Sequence, residues 1–140
     1  MADLIYFSGI GLEECIKRST GATTGNWKAH LASVGPASPS TSGLTDGLAQ
    51  YTESTETGYA PVTLLTGSFT YTFTTPYGQA VYPNFSIVFT VAFATVGWVY
   101  VTDAASTILI GGAKLATPNT SGSTGGTVNI NGLTFQFAQA

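Results

Sequence analysis

Few side chains in this chain are suited to chemistry. It has one cysteine, Cys15, one histidine, His30, and seven acids that could orient or activate them. A thiol nucleophile, an imidazole base and an orienting carboxylate are the parts of an acyl-transfer site, but a triad is defined by geometry rather than by spacing. Cys15 falls on the apolar side of a short helical segment, and His30 lies on a strand, on the same face as Lys28. A packed thiol and a half-exposed strand residue are the favoured readings. Glu53 and Glu56 are the other candidates. Carboxylate pairs serve glycoside hydrolysis or a hard metal when held at a defined separation with one desolvated. These two lie in a Thr/Ser-rich segment that reads as exposed, so solvated loop carboxylates, or one paired locally with a base, are expected. A calcium site would need several oxygens at regular spacing, and no such run of acids occurs.

Glycines and aromatics complete the survey. Gly111-Gly112 and the run from Ser121 to Gly126 precede strands and lack the lysine and helix of a phosphate-cradling loop, so they read as bulge and turn glycines. Tyr71, Tyr77, Tyr82, Trp98 and Tyr100 could stack on sugars, but cross-strand packing, at about 0.2–1 kcal/mol per aromatic pair, is favoured. Tyr77 and Tyr82 flank a turn and are expected to be the most exposed. The residues therefore predict no catalytic group, no metal ligand and no cofactor.

The elements that would carry these side chains are strands. From Thr57 to Thr102 there is no charged residue. In Phe69-Thr70-Tyr71-Thr72-Phe73-Thr74 every odd residue is aromatic and every even one is threonine. Phe85-Ser86-Ile87-Val88-Phe89-Thr90-Val91-Ala92-Phe93 repeats the period with large apolar residues. A period of two places one bulky and one lighter, hydroxylated face on a strand. Further strands are predicted at Asn26 to Val34, Tyr59 to Leu65 (Pro61 marking an edge or a beginning), Val96 to Thr102, Thr107 to Ile110 and Ala113 to Leu115. The last two are separated by Gly111-Gly112 as a bulge. Thr127 to Ile130 and Leu133 to Phe137 flank Asn131-Gly132, the favoured type I′ hairpin turn. Leu12 to Arg18 has helical spacing and an acid-to-base order that suits the helix dipole. Gly35 to Gly47 and Pro118 to Gly126 read as loops. Leu4 to Phe7 is a strand or an extended arm. About eight strands and one short N-terminal helix predict an all-β fold, an antiparallel β-sandwich of jelly-roll type, as a single domain over 1–140 with 1–8 as an N-terminal interaction arm.

Composition narrows the function classes. At 140 residues the chain can bury about 65–70% of its unfolded surface. Only 8% of residues are charged, against about 25% in ordinary soluble domains. Four basic residues cannot make a stripe for phosphates, so no nucleic-acid partner is expected. The net charge of −3 gives weak self-repulsion and favours assembly. One cysteine excludes an internal disulfide framework. The start, Met-Ala-Asp-Leu-Ile-Tyr-Phe, has an acid where a signal peptide has bases. The most apolar window, Phe85 to Val101, is interrupted by Ser86, Thr90, Thr95 and Gly97 and falls short of the roughly 20 residues of a spanning helix. Neither secretion nor a membrane partner is expected.

The order of segments carries a resemblance. A short helix is followed by Asn26-Trp27-Lys28-Ala29-His30-Leu31-Ala32-Ser33, a Pro-containing loop, Tyr51-Thr52-Glu53 and Thr57-Gly58-Tyr59-Ala60-Pro61-Val62-Thr63-Leu64. Then come Ser86-Ile87-Val88-Phe89, Gly97-Trp98-Val99-Tyr100-Val101-Thr102-Asp103-Ala104, Thr107-Ile108-Leu109 and the closing Val128 to Phe137. This order resembles a family of small tailed-bacteriophage virion proteins of the capsid cement or decoration type. In such relatives a Gly-Tyr-Ala-Arg string is common; here Pro61 stands at the arginine position, and if that arginine pairs with the upstream acid in relatives, Glu53 must find another partner here. The resemblance implies a non-enzymatic protein, made in the host cytoplasm and residing on the capsid surface, that binds and stabilises the major capsid protein shell and self-associates. Candidate interface residues are Leu4, Ile5, Tyr6 and Phe7, adding a strand to a neighbour, with the exposed Tyr77 and Tyr82. The loop Gly35 to Gly47 is a second contact. The alternative is a tail-fibre or tail-tip β-domain that binds host glycans through exposed aromatics.

Overall fold

A computed structural model describes residues 3–7, 25–36, 47–74, 77–120 and 124–138. The chain is all-β, and its described strand pairings are antiparallel except that of β1 (Asp3–Phe7) with β11 (Leu133–Ala138). Its strands are β1 (Asp3–Phe7), β2 (Trp27–Val34), β3 (Thr52–Glu53), β4 (Val62–Leu64), β5 (Thr70–Thr74), β6 (Tyr77–Tyr82), β7 (Phe85–Phe89), β8 (Val96–Thr102), β9 (Leu109–Asn119), β10 (Gly126–Ile130) and β11 (Leu133–Ala138). Nine form one sheet in the order β3-β2-β8-β9-β1-β11-β6-β5, with β4 also on β2, and β7 and β10 form a second, two-stranded sheet. The segment predicted as a helix, Cys15 included, and most of the loop from Gly35 to Gly47 lie outside the described residues.

β1 is not an arm. It pairs with β11 in parallel (Asp3↔Leu133 to Ile5↔Phe135) and with β9 in antiparallel (Tyr6↔Gly112, Phe7↔Gly111), joining the two halves of the large sheet within its own chain. A segment that spends its backbone bonds internally is not free to add a strand to a neighbour, which corrects the arm expected over 1–8.

Register explains the rest of the topology. β6 and β11 stay paired from Tyr77↔Ala138 to Tyr82↔Leu133, and β7 and β10 resume at Phe85↔Ile130 and run to Phe89↔Gly126. Two residues on each strand, 83–84 and 131–132, intervene, so one ribbon passes from the first sheet into the second without a slip. Asn131-Gly132 is thus a bend at a sheet crossing rather than the tip of a hairpin. Gly132 has the positive φ that the turn reading required, 83°, but Asn131 does not, and a type I′ turn needs both.

Three other elements differ from expectation. Tyr77–Tyr82 is a strand because β5 and β11 pair with it on both sides, despite the weak strand preference of Gly78, Gln79 and Ala80. The alternating stretch from Phe85 to Phe93 is strand only as far as Phe89, because the Phe93 ring stacks on Phe89 with centroids 4.1 Å apart. In a strand, residues four apart are separated by about 13 Å, so the chain has to fold back. Finally, the two strands expected around Gly111-Gly112 are one, β9. The bulge is present nonetheless: Thr102 pairs with Leu109 and Val101 with Gly111, leaving Ile110 as the extra residue.

One core joins the layers. Trp27, Leu31 and Leu64, Val99 and Val101, Leu133 and Phe135, and Ile87, Phe89, Val128 and Ile130 from the ribbon form one buried cluster. The Trp27 ring lies 5.3 Å from Phe135 and 5.9 Å from Phe69. All seven residues of β8 are buried. Its Val99 and Val101 join this core, while Trp98 and Tyr100 enter a second cluster with Ala32, Tyr51 and Leu109. A strand covered on both faces reads as a continuous apolar run, as β8 does.

Candidate functional site

The second cluster shares its face of the sheet with a chain of polar groups. On β2, Lys28, His30 and Ala32 face one way, and they pair with Thr102, Tyr100 and Trp98 of β8. β3 lies on the other side of β2, with Glu53 opposite Ala32. His30 therefore sits between an acid and a hydroxyl. Its Nδ1 is 2.6 Å from Glu53 Oε1 and its Nε2 is 2.8 Å from Thr102 Oγ1. A carboxylate only accepts, so Nδ1 carries the proton toward Glu53. His30 is 2% exposed rather than half-exposed, because its ring also stacks on Tyr100 at 4.7 Å and 14°.

Tyrosines complete the cluster. The Tyr59 hydroxyl donates to Glu53 Oε1 at 3.1 Å and accepts from the Leu31 amide at 2.9 Å. It takes the place of a strand partner where β3 is too short to supply one. Burial pushes the Tyr59 phenol well above its ordinary range, against the Leu31 bond, and the neighbouring Glu53 charge adds to the rise. Tyr100 is raised in the same way, first by burial and then by Glu53. Both phenols contribute stability that is complete below pH about 10 and is lost as pH rises past it. Tyr51 stacks on Tyr100 at 4.6 Å and meets Trp98 edge-on at 6.1 Å. Two glycines make room for this stack. A Cβ on Gly112 would lie 2.2 Å from the Tyr51 hydroxyl oxygen, and one on Gly35 would lie 2.4 Å from the Trp98 ring.

Hydroxyl, imidazole and carboxylate stand here in the order used by nucleophilic hydrolases, but the arrangement is closed. Thr102 has no exposed surface, and its hydroxyl also bonds the Asp103 carbonyl at 2.9 Å. With no exposed surface, that hydroxyl is not presented to a substrate in this fold. The trio instead ties β2, β3 and β8 together. Beyond Thr102, Asp103 closes the turn to β9. Its Oδ1 accepts from the Thr107 and Ile108 amides, each at 2.7 Å, and its Oδ2 accepts from the Ala105 amide and the Thr107 hydroxyl. Partial burial pushes the carboxyl up, but the bonds from Ile108, Thr107 and Ala105 outweigh it and hold the pKa below its ordinary value.

The remaining candidates are dispersed. Glu56 does not share the Glu53 site; its Oε1 accepts from the Ala94 amide at 3.2 Å. Tyr82, expected at an exposed interface, is 7% exposed. Its hydroxyl accepts from the Leu65 amide and its ring packs edge-on against Phe69 and Phe85, because the bend in the ribbon turns it into the core. Trp98 and Tyr100 are buried with it, so these three form no sugar platform. Tyr77 pairs with Thr74 and Ala138 in β6, and Leu4, Ile5, Tyr6 and Phe7 lie in β1. Among the described residues no three His, Cys, Asp or Glu side chains cluster as metal ligands, and no helix is long and apolar enough to cross a membrane. The sequence reading missed Thr102 and the link between His30 and Glu53. His30 and Glu53 lie 23 positions apart, and no local pattern in the sequence signals the link.

No family model matches this chain, and no curated protein or solved structure matches it either.

Proposed function

We propose that this is a non-enzymatic virion protein that binds assembled major capsid subunits of a tailed phage as a cement or decoration protein. The observation that carries the reading is the outward face of the β7/β10 ribbon. There Ser86 and Val88 stand beside Asn129 and Thr127, all exposed, with Thr90 and Val91 following, and none is ionisable. Burying neutral hydroxyls and amides against another protein costs less than burying unpaired charge. The order of segments supports the same reading, as does the sealing of the chain's one histidine inside the fold.

The mechanism is mass action. A protein that binds the assembled shell and not its free subunits stabilises the shell by linkage, and many copies on a lattice make a modest affinity per site sufficient. Copy number is the test. Quantitative mass spectrometry of purified particles is expected to give hundreds of copies, comparable to the major capsid protein. A handful per particle would support the tail-fibre reading instead, and none would sink both.

A further inference from the structure

The ribbon of residues 77–89 and 126–138 is flanked on one side of its bend and bare on the other. Before the bend, β5 lies against β6 and β1 against β11, so the ribbon sits inside a sheet at least four strands wide. Past the bend, β7 and β10 pair only with each other, and among the described residues no other strand lies alongside either. Nor does any backbone bond join residues 85–89 to a described residue outside β10. In an antiparallel strand alternate residues turn their N–H and C=O groups away from the partner. Among the described residues the outer edge of β7 is therefore unpaired, and it is a template for another strand.

Proteins normally blunt such an edge with lysine, proline, a bulge or a covering segment. Among the described residues β7 carries no lysine, proline or bulge, and the segment from Thr57 to Tyr59 reaches its end, where Tyr59 stacks on Phe89 and the Thr90 hydroxyl donates to the Thr57 carbonyl. Its sequence, Phe-Ser-Ile-Val-Phe, holds no charge and no proline, and its register with β10 is unbroken. All but Ser86 are strong strand formers, whereas β10 contains Gly126 and Asn129, which are poor ones.

We infer that β7 pairs in antiparallel with the β7 of a second copy of this chain, making a four-stranded sheet across a two-fold axis. Self-pairing suits this edge because a two-fold places each group near its own copy. A charged edge would repel itself, while Ser86 and Val88 meet without repulsion. Two ribbons joined at β7 also reach four strands, the least width the same ribbon has before its bend. The inference does not rest on the capsid reading, since it concerns the purified chain alone and leaves the outward face uncovered.

Sedimentation equilibrium of the full chain tests it. The expected result is a monomer–dimer equilibrium at up to about millimolar concentration, the weak limit of specific association. Both residues replaced together, Ser86→Lys and Val88→Lys, put like charges across the axis. They are expected to raise the dissociation constant at least tenfold while circular dichroism stays that of the parent. Amide exchange on dilution locates the interface, with protection lost at residues 85–89 and retained at 126–130. A chain that stays monomeric, a dimer indifferent to the lysines, or protection that changes at 126–130 instead would each overturn the inference.

Discussion

The β2/β3/β8 region and the β7/β10 ribbon handle polar groups in opposite ways. Around His30 the polar side chains bond one another, with His30 and Thr102 buried and Glu53 and Tyr59 half-buried: Glu53 accepts from the imidazole and from the Tyr59 hydroxyl, and Thr102 holds the far ring nitrogen. On the ribbon, the buried side chains are the apolar Ile87, Phe89, Val128 and Ile130, and the polar Ser86, Thr127 and Asn129 stay in water. The first region has finished its interactions inside the chain. The second has satisfied its inner face only. Buried polar groups specify one arrangement because each unmet bond is costly, whereas a neutral exposed face leaves the choice of partner open.

The comparison breaks most sharply at His30. His30→Ala removes the link between β3 and β8 and leaves the buried Thr102 hydroxyl and the Glu53 carboxylate short of a partner. It is expected to lower stability by about 2–3 kcal/mol, read as a fall in the urea midpoint. A loss under about 1 kcal/mol would mean the trio is not a structural tie. Gly112→Ala probes the same region through packing. Its methyl group collides with a Tyr51 ring already held by Tyr100, and overpacking of this kind costs about 1–3 kcal/mol. Tyrosine and tryptophan fluorescence should change along with it.

Asp103→Asn is expected to have a smaller effect, about 1 kcal/mol at neutral pH, because Oδ1 still accepts from Thr107 and Ile108 while the two bonds to Oδ2 go. Its pH dependence is the sharper signature. A carboxyl with a depressed pKa contributes stability above its unfolded value, and that contribution is lost as pH falls below about 4. The parent should therefore lose more stability between neutral pH and acid than Asp103→Asn does, in urea titrations at each pH. The smallest effect belongs to the ribbon. Val88→Thr, at a side chain 56% exposed, should change stability by no more than about 0.5 kcal/mol. A large loss there would show that the outward face is already needed by the folded chain.

Strand content and facing were legible because a period of two is local. Phe85, Ile87 and Phe89 announce a buried face, and Ser86 and Val88 an open one, before any partner is known. The bulge beside Gly111-Gly112 was legible for the same reason, since backbone freedom belongs to the residue, whereas at Asn131-Gly132 only the positive φ of Gly132 was, and the hairpin read there is a bend between sheets. The site was not legible. His30 meets Glu53 across 23 positions and Thr102 across 72, and no spacing rule covers such distances.

That this chain is all-β, poor in charge and alternating in face follows from its residues in order, because those properties belong to single residues and their immediate neighbours. Tertiary structure alone decided that β1 closes the large sheet instead of reaching outward, and that the ribbon crosses from one sheet to the other at Asn131-Gly132. It also decided that the one histidine is sealed between an acid and a threonine. Each of these depends on which backbone edges meet. Edges look alike in sequence and are told apart only by the core that forms between them.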